Sequence, residues 1–235
     1  MKKIFLTFTF AAVIFAVSYA QGLSVLGGLN MSNMTEKDDD ENYSKEEEYK
    51  IRLGGHAGLT YTYYFSDQLG LETGVMFNTK GYKLKYEEDA FLGGKSQRAS
   101  SEVMKFNIHV NLNYIDIPVL LKYNHELNEK ISLIGYAGPA LGIAVGGKYK
   151  SKVEFMGETE KDSESVRYGN DPEEDDYKRI DFGLMMGAGV LIKDFRIGLI
   201  YNQGLINVSP YSENGYISRN RVLSLGVGYN IQLKK

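Results

Sequence analysis

The sequence predicts an all-β chain, an eight-stranded antiparallel up-and-down transmembrane β-barrel with long extracellular loops. Three observations predict it. Apolar residues recur at every second position through most of the chain, the connections between these runs alternate between short and long, and the face opposite the apolar one is built largely of Gly, Ala and Ser.

The chain opens with a leader. Lys2 and Lys3 precede an apolar run from Ile4 to Val17, too short to span a bilayer as a helix. Ser18-Tyr19-Ala20 then supplies small residues at the −3 and −1 positions, so residues 1–20 read as a signal peptide and 21–235 as one barrel domain. Eight strands follow, at about 22–32, 50–65, 68–86, 103–123, 130–149, 178–193, 194–206 and 219–233. The last is the cleanest: Leu223, Leu225, Val227, Tyr229, Ile231 and Leu233 alternate with Ser224, Gly226, Gly228, Asn230 and Gln232. In the fourth, Ile108–Tyr114 and Ile115–Tyr123 carry their apolar residues on opposite parities. If both sets face lipid, a β-bulge is required near Tyr114-Ile115. A hairpin centred between Asn124 and Glu129 would set Pro139 opposite Tyr114.

The turns at Ser66-Asp67, Asn124–Glu129 and Lys193-Asp194 are short, whereas 33–49, 87–102, 150–177 and 207–218 are long. Outer-membrane barrels have short periplasmic turns and long outer loops, and eight strands bring both mature termini to the short-turn side. Alternation does not reveal which face is wet, and a soluble lipocalin-like carrier alternates too. Strand length and the small residues Gly138, Ala140, Gly142, Ala144, Gly187 and Gly226 favour a narrow membrane barrel with a tight interior. Tyr63, Phe65, Tyr123, Phe195 and Tyr229 near the short turns, with Tyr49, Tyr149 and Tyr201 near the long loops, suggest two interfacial girdles.

Composition removes several functions. With no Cys there is no disulfide, thiolate site, Cys nucleophile or Cys lipid anchor. Three scattered His leave little for metal chemistry, and a net charge of −3 is no footprint for nucleic acid. No cofactor is implied. His109 with Ser100 and Ser101 nearby is the only hint of a nucleophile and base, without a positioned acid. The acidic runs Glu36–Glu41, Glu46–Glu48 and Glu173–Asp176 lack EF-hand spacing and read as solvated loop.

Several segments resemble the PorT-like outer-membrane β-barrel family: Asn113–Tyr123 (NYIDIPVLLKY), Tyr136–Gly142 (YAGPALG), Asp181–Gly189 (DFGLMMGAG) and Tyr201–Asn207 (YNQGLIN). The resemblance implies the barrel, and for the name-giving member a place in a protein-secretion apparatus. Gly228-x-x-Ile231-x-Leu233 resembles the terminal signal read by the barrel-insertion machinery, a partner during assembly, but ends on two lysines rather than an aromatic residue.

Two groups of candidate site residues emerge. Glu72, Asp116, Lys122 and Arg196 share the small face near the short turns and are expected to form a mutually neutralising interior plug. A narrow selective path along the glycine-lined strands is the alternative. The four long loops hold 23 of the 30 acidic residues, while basic residues gather where strands meet those loops, Lys80 among them. Of these, Lys83, Lys85 and Arg221 are expected to clamp phosphates of outer-membrane lipid. The loops could equally present a surface to a protein partner. The expected function is a non-enzymatic envelope scaffold, surface-interaction module or minor porin-like protein, with a secretion or envelope-assembly component as the alternative.

Overall fold

The computed structural model describes residues 22–37, 49–90 and 102–231; the expected signal peptide, residues 1–20, and the last four residues lie outside them. Eight strands form the barrel wall: β1 (Gly22–Lys37), β3 (Arg52–Tyr64), β4 (Leu69–Ala90), β5 (Glu102–Asn128), β6 (Ile131–Phe155), β8 (Ile180–Ile192), β9 (Phe195–Gly204) and β10 (Ile217–Ile231). Every neighbouring pair is antiparallel, and β1 closes the ring by pairing with both β3 and β10. Two accessory strands, β2 (Tyr49–Lys50) and β7 (Glu158–Ser165), pair with the far ends of β4 and β6.

The alternation in the sequence becomes an inside and an outside. On β8, Asp181, Gly183 and Met185 are buried while Phe182, Leu184 and Met186 are exposed. On β10 the buried residues are Val222, Ser224 and Gly226, and the exposed ones Leu223, Leu225 and Val227. The bulky apolar side chains point away from the barrel axis, the reverse of a soluble carrier. Such a surface is compatible with hydrocarbon and not with water. No described helix is long and apolar enough to cross a membrane. Toward the short turns the outward ring of Phe195 packs edge-on against Tyr229, with centroids 5.1 Å apart.

The interior is layered, and the inner face of β5 carries every layer in turn: Lys122, Leu120, Asp116, then Tyr114, Leu112 and Val110. Leu120 packs with Ile134, Tyr136, Ala140, Met185 and Ile200. At the loop end, Val110, Leu112 and Tyr114 pack with Met34, Tyr82 and Ala144. Val166, Tyr177 and Val208 fold in from the connections after β7 and β9 and complete this apolar cap.

That cap corrects the reading of the fourth strand. Ile108, Val110, Leu112 and Tyr114 do not face lipid; the inner parity of β5 is unbroken from Ile108 to Lys122, and these apolar residues point inward into the cap. A register shift does occur at this level, but on β6. Asn113 pairs with Gly146 and Tyr114 with Ala144, which leaves Val145 as the bulged residue. Pro139 does not meet Tyr114 either. The hairpin closes tightly, with Asn128 opposite Ile131, so Tyr114 faces Ala144 and Pro139 pairs with Leu184 on β8. Pro118 sits where the β4–β5 ladder is interrupted between Thr73 and Met76, and the Thr73 hydroxyl donates to its carbonyl at 2.7 Å. Tyr149 leaves the expected girdle, because the bulge turns it onto the face it shares with Val110.

The strands also outrun their expected ends. The β4–β5 and β6–β7 hairpins continue well past the apolar belt, so part of what the sequence offers as loop is sheet projecting from the barrel.

The outward face makes a direct prediction. Leu199 lies outward at mid-strand between Ala188 and Leu225. Leu199→Arg should cost about 2–4 kcal/mol in reversible unfolding from lipid bilayers. An unchanged unfolding midpoint would contradict a lipid-facing position.

Candidate functional site

Near the short turns, the Glu72 carboxylate on β4 accepts hydrogen bonds from Lys122 Nζ at 2.6 Å and from Arg196 Nη1 at 2.9 and 3.0 Å. The Thr62 hydroxyl donates to it at 3.1 Å. The Arg196 guanidinium lies 4.4 Å from the centre of the Tyr136 ring, and Lys122 Nζ 5.8 Å from that of Tyr64. Strand β9 stands four places from β4 around the ring of eight, so the Arg196–Glu72 pair reaches across the whole lumen. Gly187 leaves the space for Tyr136, since a Cβ there would lie 2.5 Å from the ring. A void of about 10 Å³ remains beside Arg196, Tyr136 and His56, near the minimum room for one water.

Asp116 does not join this cluster, contrary to the sequence expectation. It lies farther along β5, where Lys80 Nζ is 3.0 Å from Asp116 and 3.0 Å from Asp181. Asn78 donates to Asp116 at 2.8 Å, Asn220 donates to Asp181 at 3.0 Å, and Lys80 lies 4.5 Å from the centre of the Tyr114 ring. A Cβ on Gly142 would come within 2.8 Å of Asp116 Oδ1, so glycine makes room for the trio. Lys80 is grouped by the sequence with the cations that lie where strands meet the long loops. It is in fact 2% exposed, and its parity with Glu72 on the same strand was the signal that places it inside. Beside the trio, the Asn30 amide donates to Asn78, while its carbonyl accepts from the Ser224 hydroxyl and lies 2.7 Å from His56 Nδ1. The lower cluster has one cation more than carboxylates and the upper one fewer.

The third arrangement is on the outside, above the apolar belt. Before the bulge β6 turns Leu141 and Val145 outward; after it the outward residues are Lys148, Lys150 and Lys152. Cross-strand register then lines up Lys50, Lys83, His109, Lys150 and Ser163 as one row over five strands. The next row up is Lys85, Asn107, Lys152 and Lys161. Apart from Lys83, the members of these rows line a groove of about 1070 Å³, where seven lysines meet three carboxylates among the described residues, Glu87, Glu154 and Asp162. Lys105 pairs with Glu87 at 3.4 Å, and Lys152 with Glu154. Among the described residues no ion pair holds Lys50, Lys83, Lys85, Lys148, Lys150 or Lys161.

Of the expected phosphate clamp, Lys83 and Lys85 belong to this face and Arg221 does not. Arg221 is on β10, between Asn33 on β1 and Gln203 on β9, on the far side of the barrel. His109 sits between Lys83 and Lys150 rather than beside a carboxylate, and Ser100 and Ser101 lie outside the described residues. Partial burial, and then Lys83, Lys85, Arg52 and Lys150, hold the His109 imidazole below its ordinary pKa.

Two outcomes are expected. Glu72→Gln leaves Lys122 and Arg196 buried without their carboxylate and should destabilise the barrel by about 3–5 kcal/mol in denaturant unfolding. In an NMR titration His109 should change charge below the ordinary imidazole range, and Lys83→Gln or Lys150→Gln should raise its midpoint. Because the unfolded chain takes this proton first, the His109 contribution to stability falls as pH drops through the ordinary imidazole pKa.

Comparison with known proteins places this geometry in context. The chain is similar in structure to the attachment invasion locus protein Ail of Yersinia pestis, at 17% identity over 90% of this chain and 99% of that one, with a TM-score of 0.32. It is also similar to Neisserial surface protein A, at 14% identity over 89% and 97% of the two chains, TM-score 0.36. A third likeness is to the N-terminal β-barrel domain of Pseudomonas aeruginosa OprF, at 12% identity over 90% and 98%, TM-score 0.28. No curated protein matches the sequence. A family model described as outer membrane protein beta-barrel domain matches residues 19–209, and the chain therefore belongs to that family of outer-membrane β-barrels.

Proposed function

We propose that this protein is a closed, non-enzymatic barrel that serves as an envelope scaffold and surface-interaction module, with both mature termini in the periplasm. The observation that carries this reading is the Arg196–Glu72 pair, which joins opposite walls of the lumen and is joined there by Lys122. An eight-stranded barrel is just wide enough for its own side chains. Here they are drawn together by charge, and the Lys80 trio and the apolar cap add two further barriers along the axis. A minor-porin role would need solute to displace groups whose separation leaves charge unpaired in a low-dielectric interior. What the outside offers is the projecting sheet, with a basic face next to acidic connections. The secretion role implied by the PorT-like segments is not carried forward, since the family match is to the barrel domain at large.

Single-channel recording in planar bilayers tests the reading. The purified protein should give no steady conductance above baseline. Reproducible unitary steps would overturn the closed barrel in favour of a conducting path.

A further inference from the structure

The basic outer face is an unusual piece of sheet. Like charges placed directly opposite one another on neighbouring strands repel and destabilise the sheet, whereas opposite charges there stabilise it. Here Lys50 stands opposite Lys83, and Lys152 opposite Lys161. Only His109 separates Lys83 from Lys150. The chain has ample carboxylates to neutralise them: β7 alone carries Glu158, Glu160, Asp162 and Glu164. Register nevertheless puts Glu160 and Glu164 opposite Val153 and Tyr149, on the other face, and Lys161 and Ser163 on the basic one. Among the described residues the imbalance follows from how residues are placed and not from a shortage of acid.

Position narrows the counter-ion. On β6 the last outward apolar residue, Val145, is followed by Lys148, Lys150 and Lys152 on the same side of the sheet. On β4 the outward series runs Val75, Phe77, Thr79, Gly81, Lys83 and Lys85. On β5 it runs Ile117, Ile115, Asn113, Asn111 and His109. On β6 the lipid-facing strip runs almost directly into the basic face, while on β4 and β5 two small or polar outward residues, Thr79 and Gly81, and Asn113 and Asn111, lie between the two. An amphiphile lying along the barrel would have its acyl chains against the strip and its headgroup against the basic face. Neighbouring strands are roughly 4.8 Å apart and successive outward residues roughly 6.8 Å along a strand, so Lys83 and Lys150, like Lys85 and Lys152, stand two strands and roughly 9.6 Å apart across β5. That spacing lets a phosphate sit between two long ammonium side chains, with a second phosphate one row up.

We propose that this face binds the headgroup of a phosphorylated lipid of the outer leaflet, one carrying at least two phosphates. Lys83 and Lys150 hold one phosphate on either side of His109, and Lys85 and Lys152 hold the second one row up. The inference rests on the proposed scaffold role only in taking the long connections as the outward side. It deepens that role by naming the partner of the projecting sheet.

The test uses the full processed chain in phosphatidylcholine nanodiscs, with and without diphosphoryl lipid A, and reads the lipid dependence of the His109 resonance. Diphosphoryl lipid A should shift the resonance saturably and raise the His109 pKa, because a bound anion favours the imidazolium. Lys83→Gln combined with Lys150→Gln should weaken the apparent affinity roughly tenfold or more. Lys130→Gln combined with Lys193→Gln, at the short turns, removes the same charge and should leave affinity unchanged. Inorganic pyrophosphate is the probe for a soluble source, and in excess it should not displace the lipid. Equal loss in both double variants, no lipid-dependent shift, or pyrophosphate binding as tightly as the lipid would each overturn the proposal. Conductance of the same nanodisc-derived protein in planar bilayers would overturn the closed barrel while leaving headgroup binding standing.

Discussion

Hydrocarbon offers no partner for a peptide group, and this one constraint organises the molecule. A strand that enters a bilayer must find all its hydrogen bonds on its two neighbours, so the sheet has to close. Closure by β1 against β10 fixes eight strands, and eight strands fix a lumen of side-chain width. From there the contents of the lumen become a packing problem, and the outer surface is set by what it must dissolve in.

An apolar filling would match the ion pairs in stability or exceed them, because removing two charges from water costs several kcal/mol per ion. The two ionic layers therefore contribute more to register than to net stability. Glu72 can satisfy Lys122 and Arg196 together only if β4, β5 and β9 are correctly staggered. Lys80 likewise ties β4 to β5 and β8. Between them, the Leu120 and Met185 layer excludes water and strengthens each ionic group in turn.

Much of the architecture was legible because the period-two pattern is strong. Eight wall strands lie where the alternation puts them, although β1, β4, β5 and β6 run past their expected ends, and the inward Gly and Ala on β6 and β8 are recognisable as lumen lining. The errors have a common physical source. Ile108–Tyr114 are apolar on the inner face, where a cap of loop residues buries them, and hydropathy alone cannot distinguish lipid from a dry interior. Lys80 differs: nearness to the loop end of its strand suggests the rim, while its parity with Glu72 points inward. Glu72, Lys122 and Arg196 share a parity and a level, so their meeting could be expected. That Asp116 belongs with Lys80 depends on stagger between strands, which no single strand encodes. The grouping of Lys83 with Lys150, and the distance of both from Arg221, is again a matter of which strands stand side by side.

The bulge at Val145 has a consequence for the family at large. Because one supernumerary residue reverses the parity of everything beyond it, the sign of the electrostatic potential outside the barrel is stored here as a count and not as a composition. Two relatives with the same lysines on this strand, differing by a single codon gained or lost before them, would show the environment opposite faces. Alignment gaps at this point are therefore functional characters, to be weighed as heavily as substitutions.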